Sequence, residues 1–238
     1  MTHAASLREP AWHAGIRGAR ANLLPGIVLQ LTALGIVLAY YHHGPTRAAF
    51  EQLTALRADT GLLFGVVSTG FFGGLLPVLY LCALPASRHQ YGWRQGLILT
   101  AFWGYKGLEV EVWYRLLALV VGSGHDLSTI ALKTLLDQAL YCPVLAIPLT
   151  AVVYQWCAAG GSLRKVAADL RTPGWYGRSV LPTLLANAGV WIPAVAIIYA
   201  LPTPLQLPLQ NLVLMFFTLL LAHLNAQEVR PGSEGGNQ

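Results

Sequence analysis

Long apolar runs follow one another along the chain, with polar residues gathered mainly between them. Six stand out, at residues 22–41, 61–84, 96–121, 132–157, 179–201 and 205–224. Each approaches the roughly twenty residues an α-helix needs to cross the hydrocarbon core of a bilayer. A membrane β-strand would alternate in polarity over about ten residues; these runs are continuous. A backbone in lipid must satisfy its own hydrogen bonds, so runs of this length predict helices. The expected fold class is all-α: a polytopic bundle of about six transmembrane spans over residues 22–224. A basic tail at 1–21 precedes it, and a polar tail at 225–238 follows.

Composition agrees. Only 11% of the 238 residues are charged, 55% are hydrophobic, and mean hydropathy is +0.53. A water-soluble domain carries about 25% charged residues, so a surface this poor in charge is read as facing lipid. The net charge of +5 is not read as a nucleic-acid signal, because most of the basic residues lie between the runs and in the tails. Arg8, Arg17, Arg20, Arg88, Arg94, Arg164, Lys165, Arg171, Arg178 and Arg230 fall in alternate connections, against Arg47 and Arg57 in the others. The excess of loop cations on one side predicts that both termini are cytoplasmic. Twelve of the fifteen basic residues are arginine, a bias that points to a bacterial inner membrane; an organelle membrane is the alternative.

Smaller features refine the topology. The connection at 44–61 carries Phe50, Leu53 and Leu56 at helical spacing and predicts a short helix lying on the outer face. The second run holds Gly61, Gly65, Gly70, Gly73 and Gly74. Pairs four apart allow close helix packing, within one bundle rather than at a dedicated dimer face, although a homo-oligomer stays open. Pro77, Pro143, Pro148, Pro182, Pro193 and Pro208 interrupt the runs, each removing a backbone donor. The stretches 147–154 (IPLTAVVY) and 192–199 (IPAVAIIY) nearly match, as an inverted repeat would.

The third run is the unexpected one. FWGYKGLEVEVWYRLL, at 102–117, puts Lys106, Glu109, Glu111 and Arg115 among aromatic and aliphatic residues. At about 100° per residue, Lys106 and Glu109 share one face, and Glu111 and Arg115 share nearly the opposite one. An isolated charge at the bilayer centre costs about 2.5–3.5 kcal/mol on insertion scales, so two self-paired couples are expected. The fourth run adds Lys133 and Asp137, with Gln138 next to it, and the fifth adds Asn187. Charges on opposed faces predict a central helix surrounded by protein or lining water. Two readings follow: a sealed network that fixes helix register, or a polar path.

Catalytic signatures are absent. There is no HExxH, G-x-S-x-G, Walker or dinucleotide motif. Ser68, Ser123 and His223 are the residues an intramembrane hydrolase would have to use, and no motif joins them. Cys82, Cys142 and Cys157 have no disulfide or zinc spacing and are expected as buried free thiols. No cofactor and no metal are expected.

The segments VWYRLL (112–117) and LKTLLDQALYCP (132–143) resemble the Mpv-seventeen/peroxisomal membrane protein family. That family shows a W-Y-(K/R)-x-L element, then L-x-D-Q with a proline five residues after the glutamine. Trp113, Tyr114, Asp137, Gln138 and Pro143 match it, and in DLRTPGWYGRSVLPTLLANAGVWIP (169–193) Pro182 and Pro193 keep the spacing of the family's two prolines. Asn187 is displaced by one. Leu185 replaces a glutamine, no arginine follows Pro193, and the closing family block is not reproduced. The resemblance covers 61–224 and leaves the first span as an addition. It implies a small multi-pass membrane protein without an agreed enzymatic activity, some relatives being proposed as non-selective channels.

The expected function is therefore a channel or permeability pathway for a small solute or ion. Lys106, Glu109, Glu111, Arg115, Lys133 and Asp137 would line or brace it; Trp113, Tyr114 and Asn187 would shape it. The alternative is a structural or regulatory membrane protein. The partner expected with either is the lipid bilayer.

Overall fold

The computed structural model describes residues 11–83 and 92–228; Arg8, Arg88, His89 and Arg230 lie outside them. The described residues are helical apart from short connections and contain no strand. In chain order they form α1 (Ala11–Ala21), α2 (Leu23–His42), α3 (Gly44–Thr60), α4 (Leu62–Thr69), a π-helical stretch (Gly70–Leu75), α5 (Leu76–Ala83), α6 (Trp93–Val120) and α7 (Leu127–Leu136). A second π-helical stretch (Asp137–Ala146) leads to α8 (Ile147–Ala158), α9 (Leu163–Leu170), α10 (Trp175–Ser179), α11 (Leu181–Tyr199) and α12 (Thr203–Glu228). Four stretches are long and apolar enough to cross a membrane: Leu23–His42, Leu62–Ala83, Leu127–Ala158 and Leu181–Tyr199. They match the first, second, fourth and fifth predicted runs. The third run becomes α6, 28 residues long but crowded with charge. The sixth becomes α12, with Gln206, Gln210 and Asn211 in its first half.

The chain divides into two compact units. One joins residues 1–27 to 134–193; the other joins 28–133 to 194–238.

In the second unit, α6 packs along the α4–π–α5 segment through glycine. A methyl group on Gly107 would collide with the Gly65 carbonyl, and one on Gly74 would lie 2.6 Å from the Thr100 Cα. Small residues at this seam let two backbones approach directly, and van der Waals contact replaces the hydrophobic drive that lipid does not supply. The glycines thus serve intrachain packing. Gly61 is not part of the seam. It has φ +58° and open space around it, and it breaks the chain between α3 and α4, where a left-handed backbone favours glycine.

The two π stretches adjoin prolines. Leu76 N–H donates to the Phe71 carbonyl one residue before Pro77, and Ile147 N–H donates to the Cys142 carbonyl one residue before Pro148; Pro143 lies inside the second stretch. A proline ring clashes with the carbonyl four residues back, and a wider i→i−5 turn relieves that clash while keeping the helix continuous.

Three local expectations change. The segment 11–21 is a helix and not a plain tail. The loop helix α3 is longer than expected, and its inward side joins part of the apolar stripe to a charge: Phe50 and Leu53 are half-buried, Arg57 is buried, and Leu56 is exposed. The near-repeat does not occupy equivalent places. Pro148 lies in the first turn of α8 with Tyr154 exposed, whereas Pro193 lies within α11 and Tyr199 is fully buried.

Candidate functional site

In the second unit, α6 resolves its charges by pairing them. Lys106 lies at the middle of the helix and pairs with Glu109, both side chains almost wholly buried. One turn on, Glu111 has no exposed surface. Its Oε1 accepts from Arg115 Nε at 2.7 Å, and its Oε2 accepts from Arg57 Nη2. The two couples predicted on α6 are present. The second is extended by an arginine from α3, whose Nη1 also donates to the Thr203 carbonyl at 3.0 Å, at the start of α12. One carboxylate therefore ties three helices together.

Sequence spacing left α6 either surrounded by protein or lining water. Leu97, Tyr105, Val112 and Leu116 form an exposed line along it. At about 100° per residue, Lys106 and Glu109 fall on one flank of that line, and Glu111 and Arg115 fall on the other. The outward line is apolar and the charges turn inward from its two sides, so opposed charged faces do not require water on either. Arg115 is the exception: its side chain is 53% exposed. It lies near the last turn of the helix, where a long side chain can carry its charge toward the interface.

Sequence patterning missed the rest of this core. Thr69 Oγ1 donates to Asn211 Oδ1 at 2.9 Å, Asn211 Nδ2 donates to Ser68 Oγ at 3.0 Å, and Ser68 Oγ donates to the Phe64 carbonyl at 2.6 Å. Tyr114 donates to Gln210, and Gln206 Nε2 donates to the Leu201 carbonyl at 2.9 Å. Buried polar groups are costly unless hydrogen-bonded, and these are bonded. Ser68 is engaged in structural bonds, and His223 lies beyond the described side chains. The visible signal was Gln206 and Gln210, four apart in a leucine-rich run. Arg57 gave no such signal, because a loop-helix arginine reads as solvated.

Lys133 is buried and makes no ion pair among the described residues. Its ammonium lies 5.9 Å from the centroid of the Tyr199 ring, within reach of a cation–π attraction. Tyr199 meets Tyr114 edge-on at 5.4 Å. Trp113 is half-buried on α6.

Asp137, Gln138, Pro143, Pro182, Asn187 and Pro193 belong to the other unit. Asp137 is buried at the start of the second π stretch and accepts from Gln138 Nε2 at 2.8 Å and from Cys142 Sγ at 3.6 Å. The Pro143 carbonyl accepts from Tyr176 OH at 2.9 Å. Trp175 Nε1 donates to Gln155 Oε1 at 3.1 Å, and Gln155 Nε2 donates to Ser179 Oγ at 3.0 Å. Asn187 is half-buried on α11 without a hydrogen bond to a described residue. Pro182 lies in the first turn of α11 and Pro193 in its interior.

At the other end of α7, Asp126 caps the helix. Its carboxylate accepts from the Ser128 hydroxyl, the Thr129 hydroxyl at 2.7 Å and the Thr129 N–H at 3.0 Å. Those bonds favour the ionised form and hold the carboxyl well below the usual carboxylate range. Among the described residues no group of three His, Cys, Asp or Glu gathers as a metal site. Cys82, expected to be buried, is exposed; Cys142 and Cys157 are half-buried. Comparison of the chain with models of protein families, with curated proteins and with solved structures finds no match.

Proposed function

We propose that this is a six-span membrane protein in which the charges of α6 brace the helices that cross the bilayer with it. The four apolar stretches supply four spans, and α6 and α12 supply the other two. Both termini face the cytoplasm of a bacterial cell. The observation that carries the reading is Glu111, which has no exposed surface and is held by Arg57 of α3 and Arg115 of its own helix. A charge buried and paired in this way fixes where three helices meet, and breaking such a pair costs far more than the pair contributes over an apolar packing.

A permeability pathway for a small solute or ion is the second reading. It is favoured by the exposed Arg115 in direct contact with the buried Glu111, and by a buried lysine, Lys133, that pairs with no carboxylate among the described residues. The distant Mpv-seventeen-like relationship fits either reading.

Solute and ion flux into liposomes carrying the purified protein, compared between wild type and Glu111→Gln, separates the two. A brace gives silent liposomes and a variant that unfolds more readily. A pathway gives a flux whose cation–anion preference moves with the variant.

A further inference from the structure

We propose that the outward face of α1 is a binding site for the phosphate of an anionic phospholipid headgroup. The helix has two unlike sides. At about 100° per residue, Gly15, Gly18 and the following Asn22 fall on one side, while Trp12, His13, Ile16, Arg17 and Arg20 fall together on the other. The glycine side is held. A methyl group on Gly15 would lie 2.7 Å from Leu185 Cβ, and one on Gly18 would lie 2.8 Å from Ala186 Cβ. Asn22, itself buried, donates to the Ala186 carbonyl at 3.5 Å. Docking on α11 through glycine fixes how α1 is turned and leaves its second side outward.

That second side is a groove of about 290 Å³ lined by those five residues, Trp12, His13, Ile16, Arg17 and Arg20. Trp12 and Ile16 are exposed, as are both arginines, and α1 contains no acidic residue. One residue separates α1 from α2, an apolar stretch long enough to cross a membrane. A helix in this position lies where a span leaves the hydrocarbon, at the level of the headgroups. Tryptophan favours that level. Guanidinium groups match phosphate oxygens in planar, paired hydrogen bonds. Trp12 and Ile16 give the glycerol and upper acyl carbons an apolar edge, so the groove offers both halves of a headgroup a complementary wall.

The test uses the full-length protein in detergent, with lipid retention measured by native mass spectrometry during titration with phosphatidylglycerol or phosphatidylcholine. Wild type should retain phosphatidylglycerol preferentially. Each arginine near an anionic surface contributes roughly a fivefold change in binding. Arg17→Gln with Arg20→Gln should therefore abolish most of the preference, while Arg164→Gln with Lys165→Gln on α9 removes the same charge and should keep it. Trp12→Ala should weaken retention at unchanged net charge. Equal losses in the two double variants, or no preference in wild type, would overturn the proposal. Displacement of the lipid by inorganic phosphate at matched concentration would assign the groove to free phosphate instead, and would overturn it as a lipid site.

Discussion

The two units solve the same problem, polarity inside an apolar fold, in different ways. In the unit of 28–133 and 194–238, formal charges are buried and matched one against another: Lys106 with Glu109, and Glu111 with Arg57 and Arg115. In the unit of 1–27 and 134–193, Asp137 accepts from a neutral amide and a thiol, neutral bonds join Trp175, Gln155 and Ser179 and join Tyr176 to the Pro143 carbonyl, and the ion pair of Arg178 with Asp169 is half exposed rather than buried. A paired charge is rigid and fails abruptly when one partner is lost. A neutral bond contributes less and fails by small steps. The first unit named is therefore built for fixed geometry, and the second tolerates graded change.

Glu111→Gln tests the sharpest side of that contrast. It leaves Arg57 buried without its carboxylate, and loss of one member of a buried pair costs about 3–5 kcal/mol. The midpoint of unfolding in mixed detergent should fall accordingly; a variant as stable as wild type would remove the distinction between the units. Gly107→Ala should come next. The added methyl meets the Gly65 carbonyl, and overpacking of this kind costs about 1–3 kcal/mol, whereas Gly35→Ala, with open space around it, should leave the same midpoint unchanged. In the neutral unit, Tyr176→Phe removes a single hydrogen bond worth about 1 kcal/mol, and the same measurement should register a correspondingly small shift.

Arg115→Gln should be milder still. Its side chain is half exposed, and exposed ion pairs contribute about 0–1 kcal/mol; a loss as large as that of Glu111→Gln would show Arg115 to be a true member of the buried pair. The smallest effect concerns Asp126. Its carboxyl titrates below its unfolded value, so the cap it forms is fully present above the unfolded pKa of about 3.9 and is lost only as pH falls through the lower, folded one. NMR titration of the Asp126 carboxyl should show it still ionised where free aspartate is half protonated, and Asp126→Asn should erase that acid sensitivity.

Much of the apolar frame was legible because a bilayer imposes a length and a polarity that no tertiary contact is needed to reveal. The stretches at 22–41 and 132–157 became Leu23–His42 and Leu127–Ala158 within a few residues. The internal pairing on α6 was legible for a related reason: partners three and four apart on one helix meet whatever surrounds them. Arg57 was not legible. It lies 54 residues from Glu111, and no local pattern distinguishes an arginine that returns to the core from one that faces water. The same holds for Thr69 and Asn211, 142 residues apart, and for α1, whose glycines look like loop residues until α11 is placed against them.

The sequence by itself determined that the chain is helical, apolar and furnished with charges that pair along one helix, because these follow from periodicity and from the cost of charge in lipid. Only the tertiary structure decided which distant arginine completes Glu111, that the glycines of the second run serve α6, and that Asp137 belongs to a different unit from Lys106. Those outcomes depend on contacts between residues far apart in the chain, where close packing and hydrogen-bond satisfaction, rather than local spacing, select the partner.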